Sequence, residues 1–378
     1  MDFGTKLIHN GNEIDKTTGA LSIPIYHAST FHQFDIDNFG KYDYSRSGNP
    51  TREALENTIA ALEEGDSGFA FSSGMAAISS VLSIFSAGDH ILVCRDVYGG
   101  TYRVTSSFFK KFNVETTFID ATNIGEIKER IKNNTKAIFL ESPSNPLLKI
   151  TDFRAVIEVA RKNNIVVIVD NTFMSPYLQN PIKLGADVVV HSATKFIGGH
   201  SDVISGLVVV KGKELSDKVK FVQNSFGAVL GPQDCWLLLR GLKTLKVRLD
   251  YQQKSALKLA KWLREQEEVA KVYYPGLLEH PGSELHLSQA KGGGAVLSFE
   301  TKDDETAKRF MRKVKLAAVA VSLGGVETIV SYPAKMSHAA VPKEERESLG
   351  IKDSLIRVSL GLEETEDIIK DFKNALSI

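Results

Sequence analysis

Residues 165–210, IVVIVDNTFMSPYLQNPIKLGADVVVHSATKFIGGHSDVISGLVVV, contain three undiluted apolar runs, at 165–169, 188–190 and 207–210. Runs this short and this apolar read as strands covered by helices on both faces. Polar residues follow the first two: Asp170 after one, and His191-Ser192-Ala193-Thr194-Lys195 after the other. The third run starts too soon after the second for a crossover helix, which predicts an antiparallel strand.

The same beat extends upstream. Residues 69–71 and 91–93 read as strands around a helix in which Met75, Ile78, Val81, Leu82 and Phe85 keep helical spacing. Residues 113–119 and 136–140 read as two more strands, separated by the amphipathic stretch 124–131, and a helix is predicted over 152–162. Strands alternating with helices predict an α/β fold with a mostly parallel sheet. After Pro232 the pattern at 234–265, carrying Trp236, Leu239, Leu242, Leu245, Leu249 and Trp262, predicts one long helix bridging to a second domain. Strands predicted at 269–274, 295–299, 317–321 and 355–360, with helices near 303–313 and 364–376, make that domain a smaller α+β unit. The first fifty residues have no period and read as an extended arm lying on a surface or a neighbouring subunit. The expected partition is an arm over 1–52, an α/β domain over 53–247 and an α+β domain over 248–378.

Composition narrows the function. The chain has 378 residues and 46 basic against 46 acidic side chains, so it lacks the charge footprint of a nucleic-acid or membrane-surface binder. Small-molecule chemistry is the expectation. Cys94 and Cys235 form no metal-ligand spacing, the histidines form no HExxH, and no metal is predicted. No apolar run approaches the roughly 20 residues of a membrane helix, and MDFGTKLIHN does not resemble a signal peptide. A cytoplasmic enzyme is the expected class.

Open parallel sheets bind ligands beyond the carboxyl ends of their strands. Here those ends carry Ser72-Ser73-Gly74, Asp96-Val97-Tyr98-Gly99-Gly100, Glu141-Ser142-Pro143-Ser144-Asn145-Pro146, Asp170 and His191 to Lys195. Each has a plain structural account alone: Ser73 as a helix cap, Asp170 as a turn residue, Lys195 as a solvated amine. Together they match what pyridoxal phosphate (PLP) requires: a phosphate cradle at a helix start, an acid for the ring nitrogen, a lysine for the aldehyde and an aromatic ring to stack.

The runs YSRSGNPT (44–51), SSGMAAI (72–78), DVYGGTYR (96–103), ESPSNP (141–146), VDNTF (169–173), HSATKFIGGHSD (191–202) and IRVSLGLE (356–363) resemble the Cys/Met-metabolism family of PLP-dependent transsulfuration enzymes across nearly the whole chain. The resemblance implies the type I, aspartate aminotransferase-like PLP fold and a homotetramer built from dimers that share active sites. It implies Lys195 as Schiff-base lysine and proton shuttle, Asp170 on the pyridine nitrogen and Tyr98 stacked on the ring. It places the phosphate among Ser73, Gly74, Met75, Ser192 and Thr194, with Tyr44 and Arg46 arriving from a neighbouring subunit. Asn145 would lie near the ring oxygen and the substrate carboxylate, with Glu141 supporting the site. Arg357, inside the apolar run Leu355-Ile356-Arg357-Val358, needs a partner for its buried charge. The resemblance makes that partner the substrate α-carboxylate, with Ser322 beside it.

Small departures bear on the reaction. Gly100 stands where methionine γ-lyases usually carry cysteine, and Arg103 keeps the pattern of members whose substrates present a second carboxylate. Val321 precedes Ser322-Leu323-Gly324-Gly325 where γ-synthases and γ-lyases typically have glutamate, and SYPAKMSHA (331–339) looks like bacterial β-lyases of the family. The expected reaction is β-elimination of L-cystathionine, with γ-elimination or γ-replacement on the same framework as the alternative. Two readings of other classes remain: Ser192-Ala193-Thr194-Lys195 formally matches the S-x-x-K of serine β-lactamases, without a following K-T-G, and a non-catalytic protein could keep the fold.

Overall fold

The computed structural model describes residues 1–337, 339 and 343–377. Seven strands form the larger sheet: β1 (Ser67–Phe71), β2 (His90–Cys94), β3 (Glu115–Ile119), β4 (Thr135–Glu141), β5 (Val166–Asp170), β6 (Val188–Ser192) and β7 (Gly206–Val210). Their order is β1-β7-β6-β5-β4-β2-β3. All neighbouring pairs are parallel except those of β7, which runs antiparallel to β1 and β6 as its short connection required. Both faces are covered. Val188 and Val190 of β6 enter one apolar core, and Val189 enters another on the opposite face.

Caps set several helix starts. Asn49 accepts from the backbone N–H groups of Thr51 and Arg52 and opens Pro50–Glu63, with proline in its first turn. Asp152 caps Phe153–Lys162 in the same way. The smaller sheet contains β8 (Val269–Tyr273), β9 (Val296–Thr301), β10 (Ala318–Val319), β11 (Ile329–Ser331) and β12 (Leu355–Ser359), in the order β10-β11-β12-β9-β8. Helices Asp304–Lys313 and Thr365–Leu376 pack on it through Phe310 and Phe372; the Phe310 ring meets those of Phe299 and Phe372 edge-on in the core.

Four expectations differ from the structure. The helix predicted over 234–265 is two, Pro232–Lys243 and Leu245–Arg264, interrupted at Thr244. The carbonyl of Gly241 accepts from Arg248 Nη2 at 2.9 Å and from the Thr244 N–H at 3.2 Å, so it is diverted from the regular ladder. The expected boundary after residue 247 therefore falls inside the second of these helices. The strand predicted over 317–321 contracts to β10 on the exposed sheet edge. The arm contains a helix, Phe3–His9, because Leu7 is buried and Phe3 packs on Tyr177 with ring centroids 5.5 Å apart. Helix Pro50–Glu63 and strand β11 had not been anticipated from the sequence pattern. No helix among the described residues is long and apolar enough to cross a membrane.

Candidate active site

The turn after β6 places Lys195. Its N–H donates to the Ser192 carbonyl, and its own carbonyl accepts from Gly199 at 2.7 Å, so the backbone around the amine is fixed. The Lys195 ammonium donates to Ser322 Oγ at 2.6 Å. Burial brings this amine down to about 8, with Arg357 acting in the same direction and Asp170 opposing both. Ser322 has φ 80°, and Gly324 follows at φ 82°. A Cβ on Gly324 would lie 2.6 Å from the Phe196 nitrogen and 2.9 Å from the Lys195 carbonyl carbon. The loop from residue 322 to 325 thus lies directly on the lysine's backbone, an approach that only glycine allows.

Asp170 ends β5. Its Oδ1 accepts from the Thr172 N–H at 3.0 Å and from Thr172 Oγ1 at 2.5 Å, while Thr172 Oγ1 accepts the Ser192 N–H at 2.8 Å. Across the β4/β5 register Asp170 faces Glu141, whose Oε2 accepts the Tyr98 N–H at 2.9 Å. Burial raises both carboxyls. Glu141 goes well above its ordinary range because Asp170 repels it as well.

Arg357 on β12 approaches from the smaller sheet. Nη1 donates to Asn145 Oδ1 at 2.9 Å, and Nη2 donates to the Ser322 carbonyl at 2.6 Å and to Ser331 Oγ at 3.1 Å. The guanidinium is buried, with no carboxylate in ion-pair range among the described residues, and burial brings it down to about 10. It stays a cation at neutral pH. A buried guanidinium fork without an ion-pair partner among the described residues can receive a carboxylate.

Helix Gly74–Leu82 aims its N-terminus into the same region. Ser73 Oγ caps it by accepting from the Ala76 N–H at 3.0 Å. A Cβ on Gly74 would lie 2.9 Å from Ser192 Cβ, and one on Gly100 would lie 2.5 Å from both Met75 Sδ and a Tyr98 ring carbon. Ser73, Gly74, Met75, Tyr98 and Ser192 are therefore packed side by side. Thr194 Oγ1 is engaged with Ser205, donating to its carbonyl and accepting from its N–H.

Three expected residues stand apart within one chain. Arg103 is exposed at the end of helix Gly99–Arg103. Tyr44 and Arg46 lie on the arm, where the Arg46 guanidinium sits 5.6 Å from the Tyr44 ring and donates to the Asn224 carbonyl. His338 of the SYPAKMSHA run lies outside the described residues.

Residues 4–377 match the family described as Cys/Met metabolism PLP-dependent enzyme. The chain belongs to this family. One member, a cystathionine β-lyase of Bacillus subtilis (strain 168), is 56% identical over 372 residues, covering 98% of this chain and 95% of the relative. A cystathionine γ-lyase of the same organism is 49% identical, covering 98% of each. The crystal structure of a cystathionine γ-lyase from Lactobacillus plantarum, complexed with L-serine, aligns with a TM-score of 0.97 at 46% identity, covering 99% of this chain and 98% of that one. This Cys/Met-metabolism enzyme has the type I, aspartate aminotransferase-like fold, with a large mixed-sheet domain and a smaller α+β domain. It is a PLP-dependent carbon–sulfur lyase of the transsulfuration class, acting by β- or γ-elimination or γ-replacement on a cystathionine or methionine-pathway substrate. The residues present fit the cofactor: an amine lowered by burial, an acid on a buried strand end, and a capped helix N-terminus whose glycine admits close approach.

Sequence reasoning missed Thr172 and Ser331. The first carried a signal, since aspartate followed two residues later by threonine is a local hydrogen-bonding pattern. Ser331 carried none, because only the β11/β12 register brings it opposite Arg357.

Proposed function

We propose that this enzyme catalyses β-elimination of L-cystathionine, in which cystathionine and water give homocysteine, pyruvate and ammonia. The observation that carries the reading is the continuous link from the Lys195 amine through Ser322 to the Arg357 fork. It sets a proton acceptor at a fixed distance from a carboxylate anchor, which is what removal of an amino acid's Cα proton needs.

Bound PLP supplies the electron sink for the carbanion. In our reading Lys195 carries the cofactor and moves the Cα proton, Asp170 holds the ring nitrogen protonated, and Tyr98 covers the ring face. Ser73, Gly74, Met75, Ser192 and Thr194 hold the phosphate. Arg357 and Asn145 hold the α-carboxylate, Glu141 positions the Tyr98 backbone, and Arg103 receives the distal carboxylate. Tyr44 and Arg46 complete the phosphate site of a second copy in a homotetramer, which gives the exposed arm its use. We place the enzyme in the cytoplasm. The bond broken is the β-carbon to sulfur bond, because Val321 leaves the position before Ser322 without an acid. Identification of the thiol and keto acid made from cystathionine tests this: homocysteine with pyruvate supports it, and cysteine with 2-oxobutyrate refutes it in favour of γ-elimination.

A further inference from the structure

The turn that carries Tyr44 and Arg46 leaves both side chains exposed while its backbone is tied down. Tyr44 pairs with Thr30 in an antiparallel bridge, and its carbonyl accepts from the Ser47 and Gly48 N–H groups. The next two carbonyls are held by one side chain, Arg52 in the first turn of helix Pro50–Glu63. Nη1 donates to the Ser45 carbonyl at 2.6 Å, and Nη2 donates to the Arg46 carbonyl at 3.1 Å. These two carbonyls belong to the peptide planes on either side of the Arg46 Cα. Because peptide units are planar, fixing both planes fixes φ and ψ of Arg46 and therefore the direction in which its side chain leaves the turn.

Arg52 is itself anchored. It is 3% exposed, and its Nε faces Glu56 Oε1 at 3.5 Å. The same oxygen accepts from the Ala70 N–H at 2.9 Å and from Gln223 Nε2 at 3.1 Å, which ties the group to β1 just before Ser72-Ser73-Gly74. Holding the arm to the surface does not require this fork. Asn49 Nδ2 already donates to the Tyr26 carbonyl at 2.8 Å and to Ser45 Oγ at 3.1 Å, and Thr51 Oγ1 donates to the Pro24 carbonyl at 2.9 Å. What Arg52 adds is the orientation of Arg46, at the cost of burying a guanidinium against backbone.

We propose that Arg52 is a positioning residue for Arg46: its fork presets the turn so that Arg46 is already directed at the phosphate of PLP in a neighbouring subunit's site. The proposal rests on the reading that Arg46 meets that phosphate. A preset arm has less freedom to lose when the cofactor binds, and the gain appears as affinity. The effect is confined to the phosphate end of the cofactor, which a contact that merely stabilises the fold would not produce.

The test compares binding of PLP and of pyridoxal, which lacks the phosphate, to cofactor-free wild type, Arg46→Met, Arg52→Gln and Arg52→Lys. Binding is read from absorbance without turnover. Arg52→Gln should weaken PLP about tenfold, the scale of one long side chain losing its freedom on binding, and leave pyridoxal unchanged. Arg52→Lys keeps the charge beside Glu56 and gives up the fork; it should show a smaller loss of the same kind, and it carries the test if Arg52→Gln does not fold. Equal losses for both ligands, or no loss for either, overturn the proposal. If Arg46→Met binds PLP as wild type does, the reading of Arg46 itself fails. If Arg46→Met weakens PLP selectively while both Arg52 variants bind as wild type, only the Arg52 proposal fails.

Discussion

The Lys195 ammonium donates to the Ser322 hydroxyl at 2.6 Å, and Ser322 holds φ 80° to receive it. Few non-glycine residues adopt that backbone conformation, so the serine is kept there by its surroundings. Its carbonyl accepts from Arg357, and Gly324 two residues on presses against the lysine's own backbone. The proposed base and the proposed carboxylate anchor are thus held by one short loop. Ser322→Ala removes a hydrogen bond to a charged group, of order 1.5–3 kcal/mol, so turnover should fall about tenfold to hundredfold. Cofactor content should stay at the wild-type level. Measured kcat unchanged in Ser322→Ala would remove the hydroxyl from the mechanism.

The lowered Lys195 amine predicts two pH effects in cofactor-free protein. The free amine predominates above about 8, so PLP uptake should accelerate as pH rises through that value, followed by stopped-flow absorbance. Between about 8 and the ordinary 10.5, the unfolded chain binds a proton that the folded chain has lost, so Lys195 makes folding stability rise with pH across that window. Denaturant titrations should show this rise in wild type and not in Lys195→Met. Identical pH slopes for the two proteins would contradict the burial-driven shift.

Arg357→Lys keeps a positive charge and loses the fork that spans Asn145, Ser331 and the Ser322 carbonyl. KM for cystathionine should rise by about one to two orders of magnitude, the scale of a lost charge-assisted bidentate contact. PLP affinity should change little, since none of these contacts lies in the phosphate cradle. A variant with wild-type KM would place the substrate carboxylate elsewhere.

Gly324→Ala forces a Cβ to 2.6 Å from the Phe196 nitrogen at a positive φ. Overpacking and backbone strain together predict destabilisation of about 1–3 kcal/mol, read as a lower midpoint in denaturant. Activity should fall more steeply than stability, because the displaced loop carries Ser322. Gly88→Ala is the control: its φ is also positive, but an added Cβ there meets nothing within 4 Å.

Much of the larger sheet could be read from the sequence because its strands are buried on both faces. The runs ending at Val169, Val190 and Val210 had no polar residue to confuse the period, and the residues just beyond the first two are among the proposed site residues. What stayed hidden depends on distant partners. The interruption at Thr244 comes from a carbonyl captured by Arg248, and Arg248 also holds the Phe196 carbonyl, next to Lys195. Strand β11, three residues long, is too short to show a period. Glu63 and His191, whose buried side chains meet at 2.7 Å, are 128 residues apart, and neither carries a local sign of the other. Tyr44 and Arg46 were recognisable only through the family motif, since nothing in a single chain draws them to Lys195.

The assignment of Lys195 as the residue that carries PLP is the claim on which the rest depends. Borohydride reduction of the holoenzyme, followed by peptide mapping, tests it directly by fixing the cofactor to whichever amine holds it. The account predicts a pyridoxyl label on the peptide containing Lys195 and its loss in Lys195→Ala. A label on any other lysine, or one that survives in Lys195→Ala, would contradict it.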